Sequence, residues 1–90
     1  MQIPSDKAIL HLYLQSVCQA MINHEDQHSN RLINKIIDQY AKPGKEQAFK
    51  KEIKTFCSDI VNEIEDDMGW YYLDDNLDIF IKYWKHDNLM

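Results

Sequence analysis

Apolar residues recur along the chain at three- and four-residue spacing, the pattern of helices that each bury one face. Ile9, Leu10, Tyr13, Leu14, Val17, Cys18 and Met21 form a first, wide stripe. Leu32, Ile33, Ile36, Ile37 and Tyr40 form a second, cleaner one, and Phe49, Ile53, Phe56, Cys57, Ile60, Val61 and Ile64 a third. Leu77, Phe80, Ile81 and Trp84 supply a fourth. Trp70-Tyr71-Tyr72-Leu73 has strand propensity, but a single strand has no partner with which to make a sheet. The pattern predicts an all-α fold. It is a small bundle of three to four helices over approximately 5–23, 28–41, 45–67 and 74–86, in a single domain spanning 1–90.

Punctuation by capping residues sets the expected boundaries. Ser5, after Pro4, suits an N-cap, because its hydroxyl can accept a hydrogen bond from a free N–H of the first turn. Lys42-Pro43-Gly44-Lys45 reads as a tight connection: proline cannot donate inside a helix and glycine tolerates positive φ. Gly69 fits a C-terminal cap, the aromatic run 70–73 a connection, and Asp74 or Asp75 the N-cap of the last helix. Between Ser5 and Ala41 there is no Gly or Pro, and the stripes on either side of the gap are in phase. A single helix of roughly 55 Å is therefore compatible with this region. The polar run from Asn23 to Asn30 favours a break instead, with Asn23 as a left-handed cap and Asp26 or Ser29 capping the next helix.

Size and charge narrow the function. Of 90 residues, 44% are hydrophobic and 28% charged, a globular composition. A chain of this length buries only about two thirds of its surface, which leaves few side chains for the walls of a catalytic pocket. An enzyme is not expected, and neither is a cofactor. The net charge of -5 opposes direct nucleic-acid binding, which needs a basic surface. Lys50, Lys51 and Lys54 share a helix side, but Glu46 and Glu52 lie among them and Arg31 is the sole arginine. No stretch resembles an export signal or approaches the ~20 apolar residues of a membrane span, so a cytoplasmic protein without membrane attachment is expected. In that reducing compartment Cys18 and Cys57, both among apolar residues, read as buried thiols rather than a disulfide.

One motif suggests chemistry. His24-Glu25-Asp26-Gln27-His28 matches H-E-x-x-H, in which two histidines on one helical face share a zinc ion and the glutamate acts as general base on a bound water. Its surroundings are poor: there is no sheet to align a substrate and no third ligand at a recognised spacing. As a ferritin-like site, Glu25-x-x-His28 is one Glu-x-x-His where a di-iron bundle needs two. A solvated helix end or turn is the leading reading. A metal-binding protein or small zinc hydrolase using His24, His28 and Glu25 is the alternative.

Charge segregation points elsewhere. Between Arg31 and Lys54 seven basic residues oppose three acidic ones, whereas Cys57 to Ile81 contains eight acidic residues and no Lys or Arg. The eight are Asp59, Glu63, Glu65, Asp66, Asp67, Asp74, Asp75 and Asp78, and Trp70, Tyr71 and Tyr72 lie in their midst. Aromatic side chains are frequent binding hot spots, and clustered carboxylates steer a basic partner. The bland alternative is a solvated acidic face with its aromatics closing the core. The expected function is a non-enzymatic inhibitor that engages a basic protein, such as a nuclease, through Trp70, Tyr71, Tyr72, Asp66, Asp67, Asp74, Asp75 and Asp78. Small acidic helical domains with exposed aromatics recur among immunity proteins, antitoxins and phage-encoded inhibitors, a likeness of size and surface only. A homodimer pairing the basic middle with the acidic end, or a dimeric regulatory or scaffold protein, is a further alternative.

Overall fold

The apolar stripes fold into four helices: α1 (Asp6–Ile22), α2 (Asp26–Tyr40), α3 (Glu46–Ile64) and α4 (Gly69–His86). The computed structural model describes residues 6–64 and 69–90. Helices α1 and α3 touch each other and both of the other two, while α2 and α4 lie apart on opposite sides of that central pair. The core gathers the expected stripes: Leu10, Leu14, Val17 and Cys18 meet Ile33, Ile36 and Ile37, then Phe49, Ile53, Phe56, Cys57 and Ile60. From α4 come Leu73, Leu77, Ile81 and Trp84.

Helix α4 is joined to α3 by aromatic rings. Phe56 packs 4.4 Å from Phe80, 6.0 Å from Tyr72, and edge-on to Trp84 at 5.7 Å, measured between ring centroids. Phe49 approaches Trp84 at 5.4 Å. Such tilted and edge-on pairs add about 0.5–1.5 kcal/mol each to simple burial. The arrangement fixes the rotation of α4 about its axis and therefore which face points outward.

Two left-handed residues end helices. His24 (φ 59) follows α1, with its own N–H donated to the Met21 carbonyl and the next N–H, of Glu25, donated to Ala20. Asn88 (φ 61) follows α4 in the same way, with bonds to Lys85 and, from Leu89, to Trp84. Both are Schellman motifs, which satisfy carbonyls that the helix end leaves free. The second one turns Leu89 into the core, and the Leu89 carbonyl accepts from the Lys42 N–H at 2.9 Å, pinning the C-terminus to the α2–α3 connection. That connection is the expected tight turn: Lys45 N–H bonds back to the Lys42 carbonyl at 2.9 Å, and Gly44 has φ 86, the pattern of a type II turn with Pro43 leading.

Several expected boundaries move. The favoured break between the first two stripes is present: residues 6–40 hold two helices, with the Schellman motif at His24 between them. The left-handed residue is His24 rather than Asn23, and Glu25 occupies the N-cap of α2 without a side-chain cap bond, in place of Asp26 or Ser29. Ser29 instead turns its hydroxyl to the Asp26 carbonyl at 2.9 Å. The last helix starts at Gly69, not at Asp74 or Asp75, so Gly69 opens α4 and Trp70-Tyr71-Tyr72-Leu73 is helical. The stripe through Leu73, Leu77, Ile81 and Trp84 runs back into that segment, and its burial overrides the strand propensity of the aromatics. The Ser5 cap and the end of the third helix near 67 lie outside the described residues.

Cys18 and Cys57 are free and fully buried, with the Cys18 thiol 3.9 Å from the Cys57 carbonyl. A hydrogen bond with Cys18, burial, and the neighbouring Cys18 charge together hold the Cys57 thiol well above its ordinary range. In the unfolded chain a thiol ionises near about 8.5. Above that pH the unfolded state loses a proton that the folded state keeps, so stability falls as pH rises. Below it, this contribution is fully present. Chemical denaturation should show a decline through pH 8.5–9.5 that steepens toward about 1.4 kcal/mol per pH unit, and Cys57→Ala should flatten it. An unchanged slope in Cys57→Ala would assign the decline to other groups.

Trp84 is buried, and its indole Nε1 has no hydrogen-bond partner among the described residues. Leaving a buried donor unpaired costs about 1–3 kcal/mol, which Trp84→Phe would recover while losing some ring area. Trp84→Ala is expected to destabilise by about 3–5 kcal/mol and Trp84→Phe by about 1 kcal/mol, read by urea denaturation followed by circular dichroism. Equal losses in the two variants would mean that the N–H has a partner.

Candidate partner-binding surface

The aromatic anchoring of α4 sorts its N-terminal residues into three directions. Trp70 is half-buried against the core, Tyr72 is half-buried with its ring on Phe56, and Tyr71 stands out at 62% exposure. Of three consecutive aromatics, only Tyr71 is exposed, and the other two are half-buried. Trp70 and Tyr72 both pack on the core, as the bland alternative expects of aromatics.

The carboxylates divide as well. On the side of α4 facing α1, Asp74 pairs with His11, and Asp78 pairs with Lys7 at 2.9 Å. Lys7 and His11 are four apart on α1, as Asp74 and Asp78 are on α4, so the pairs form two rungs between antiparallel helices. All four side chains keep substantial exposure, and pairs of this kind contribute between about 0 and 1 kcal/mol each. Asp75 lies on the outer face. Asp66 and Asp67 lie outside the described residues.

Asp75 meets a residue that the sequence reading counted among the acids without assigning it to the surface. Glu63, near the end of α3, lines an open depression of about 230 Å³ with Tyr71, Tyr72, Asp75 and Asn76. The Asn76 side-chain amide donates to the Tyr72 carbonyl at 2.9 Å, holding the depression's α4 wall. Two exposed carboxylates beside two phenol rings have the chemistry that suits a cationic side chain. The carboxylates attract its head, while ring faces accept the cation and the apolar stem. The packing of α3 against α4 brings Glu63 there, eight residues before Tyr71, a proximity not visible in a stripe read one helix at a time.

The histidine motif takes a different shape from the one zinc chemistry requires. His24 is the left-handed residue that stops α1, Glu25 starts the turn into α2, and His28 lies in the first turns of α2. The two histidines therefore do not project from one face of a continuous helix. Among the described residues, no three His, Cys, Asp or Glu side chains gather as a metal-holding group. A depression of about 340 Å³ beside the motif is lined by Met21, Asp26, Ser29, Asn30, Ile33, Lys54 and Ser58, and it takes in neither histidine.

No protein-family model matches this chain, and neither a curated protein nor a solved structure is significantly similar to it. Among the described residues, no helix is long and apolar enough to cross a membrane.

A β-carbon in left-handed conformation costs roughly 1–2 kcal/mol that glycine avoids, offset in part by glycine's greater freedom when unfolded. His24→Gly is therefore expected to raise stability by about 1 kcal/mol, with the melting temperature unmoved by added zinc in either protein. A saturable rise of the wild-type melting temperature with zinc, lost in His24→Gly, would restore the metal reading.

Proposed function

We propose that this protein is a non-enzymatic binding protein of the inhibitor, immunity or antitoxin type, and that its target is a basic protein. The observation that carries the reading is the Glu63–Tyr71–Tyr72–Asp75 depression, in which exposed carboxylates flank phenol rings at the junction of α3 and α4. A lysine or arginine of the target enters between the carboxylates with its stem along Tyr71. The acidic residues around it draw the target in from a distance, as they would a nuclease whose groove is lined to receive phosphates. Tyr71 is the anchor, because an exposed tyrosine supplies a large rigid contact area. Asp74 and Asp78 act at longer range, since each already has a basic neighbour on α1. Trp70 serves by holding the first turns of α4 against the core.

Titrating the isotopically labelled protein with lysine- and arginine-rich peptides, followed by amide shifts, tests the site directly. The largest changes are expected at Glu63, Tyr71, Tyr72 and Asp75. Tyr71→Ala should weaken binding by on the order of tenfold with the fold intact. Asp75→Asn and Glu63→Gln should slow association and reduce its salt dependence, and Asp74→Asn should do so less. Peptide binding that ignores Tyr71→Ala, or shifts confined to the opposite side of the bundle, would overturn the assignment.

A further inference from the structure

The outer face of α4 holds more than that depression. Ile79 and Tyr83, four residues apart, are 51% and 62% exposed and form one apolar ridge flanked by Lys82 and His86. Adjacent exposed apolar residues can mark a contact surface, where scattered single ones do not. Along the same helix the charges separate by end. On that outer face Asp75 lies on the N-terminal side of Ile79 and Lys82 and His86 on its C-terminal side, while Asp74 and Asp78 are already paired with α1.

This polarity selects the occupant. A face with Asp75 ahead of its apolar ridge and Lys82 behind Ile79 is complementary to itself when laid antiparallel. We propose that two copies of this chain associate through α4, related by a two-fold axis passing near Ile79. Each Ile79 then packs on its counterpart, each Tyr83 covers the flank of that contact, and Asp75 of one copy faces Lys82 of the other. The interface is isologous, so every favourable pair occurs twice and the assembly closes as a dimer. Antiparallel packing also sets opposite ends of the two helix dipoles together. A parallel arrangement would place carboxylate against carboxylate and ammonium against ammonium. The contact shares Asp75 with the proposed partner-binding surface, but its argument does not rest on that reading. It leaves Glu63 on α3 uncovered, while Asp75 sits where the two surfaces meet.

Sedimentation equilibrium of the full chain tests the inference. The mass should rise from 10.8 kDa toward twice that value with increasing concentration, and association should weaken in high salt. Ile79→Asp should weaken self-association at least about tenfold while circular dichroism stays helical, as expected for an exposed position. Asp75→Lys and Lys82→Asp should each weaken it by on the order of tenfold, and the doubly exchanged chain should recover most of the loss. A concentration-independent monomer mass overturns the proposal, as does self-association that survives Ile79→Asp. Failure of the double exchange to recover affinity overturns the antiparallel register. Glu63→Gln separates the two surfaces: it should leave the dimer unchanged and slow basic-peptide association.

Discussion

The packing of Phe56 against Trp84, Phe80 and Tyr72 is the constraint from which the functional surface follows. An amphipathic helix can be rotated about its axis at small cost when its apolar stripe is wide, and α4 has apolar or aromatic residues on most of its circumference. Rings are less forgiving than aliphatic chains because their contacts depend on angle as well as distance. Seating Trp84 between Phe49 and Phe56 turns Leu73, Leu77 and Ile81 inward, and Tyr71, Ile79 and Tyr83 are left outside. Tyr71, Ile79 and Tyr83 are thus exposed as a consequence of core geometry. A bundle of this size has no second layer to cover them.

Most of the fold was legible because helical periodicity is a local property and each stripe could be read alone. Leu10, Leu14, Ile33, Ile36, Phe49, Ile53, Phe56 and Ile60 all lie in the core as their spacing requires. What was not legible has a physical pattern. The start of α4 was misplaced because Trp70, Tyr71 and Tyr72 carry intrinsic strand preference, and only tertiary burial of the residues at helical spacing beyond them outweighs it. The break after α1 was expected, but its left-handed residue was placed at Asn23 when the Schellman bonds fall at His24. Asparagine is the better intrinsic former of that conformation. The length of the helix decides which residue has to adopt it.

The candidate surface was half legible for a related reason. Charge runs are visible in one dimension, but the direction in which each carboxylate points is a property of helix rotation. Asp74 and Asp75 are adjacent in sequence, yet one faces His11 across the α1 groove and the other faces solvent. Glu63 joins Asp75 only through the packing of α3 on α4, so no spacing rule within a helix would have selected it. The H-E-x-x-H match illustrates the converse. Its chemistry depends on a continuous helix, and the same polar residues that compose the motif supply the stop that prevents one.

Asp75 links the two uses proposed for α4, and its position makes them thermodynamically coupled. A carboxylate engaged by Lys82 of a second copy is partly neutralised, so its attraction for an incoming cationic side chain falls. Conversely, a basic target held at Glu63 and Asp75 draws that carboxylate away from the dimer contact. By linkage the two effects must be equal in free energy: whatever factor dimerisation takes from target affinity, target binding takes from dimer affinity. Because Tyr71 and Glu63 belong to the target side and Ile79 and Tyr83 to the dimer side, the coupling passes through one residue and is modest in size. A small protein with one unpartnered helix face would in this way exchange self-association for capture of its target, without any change in its core.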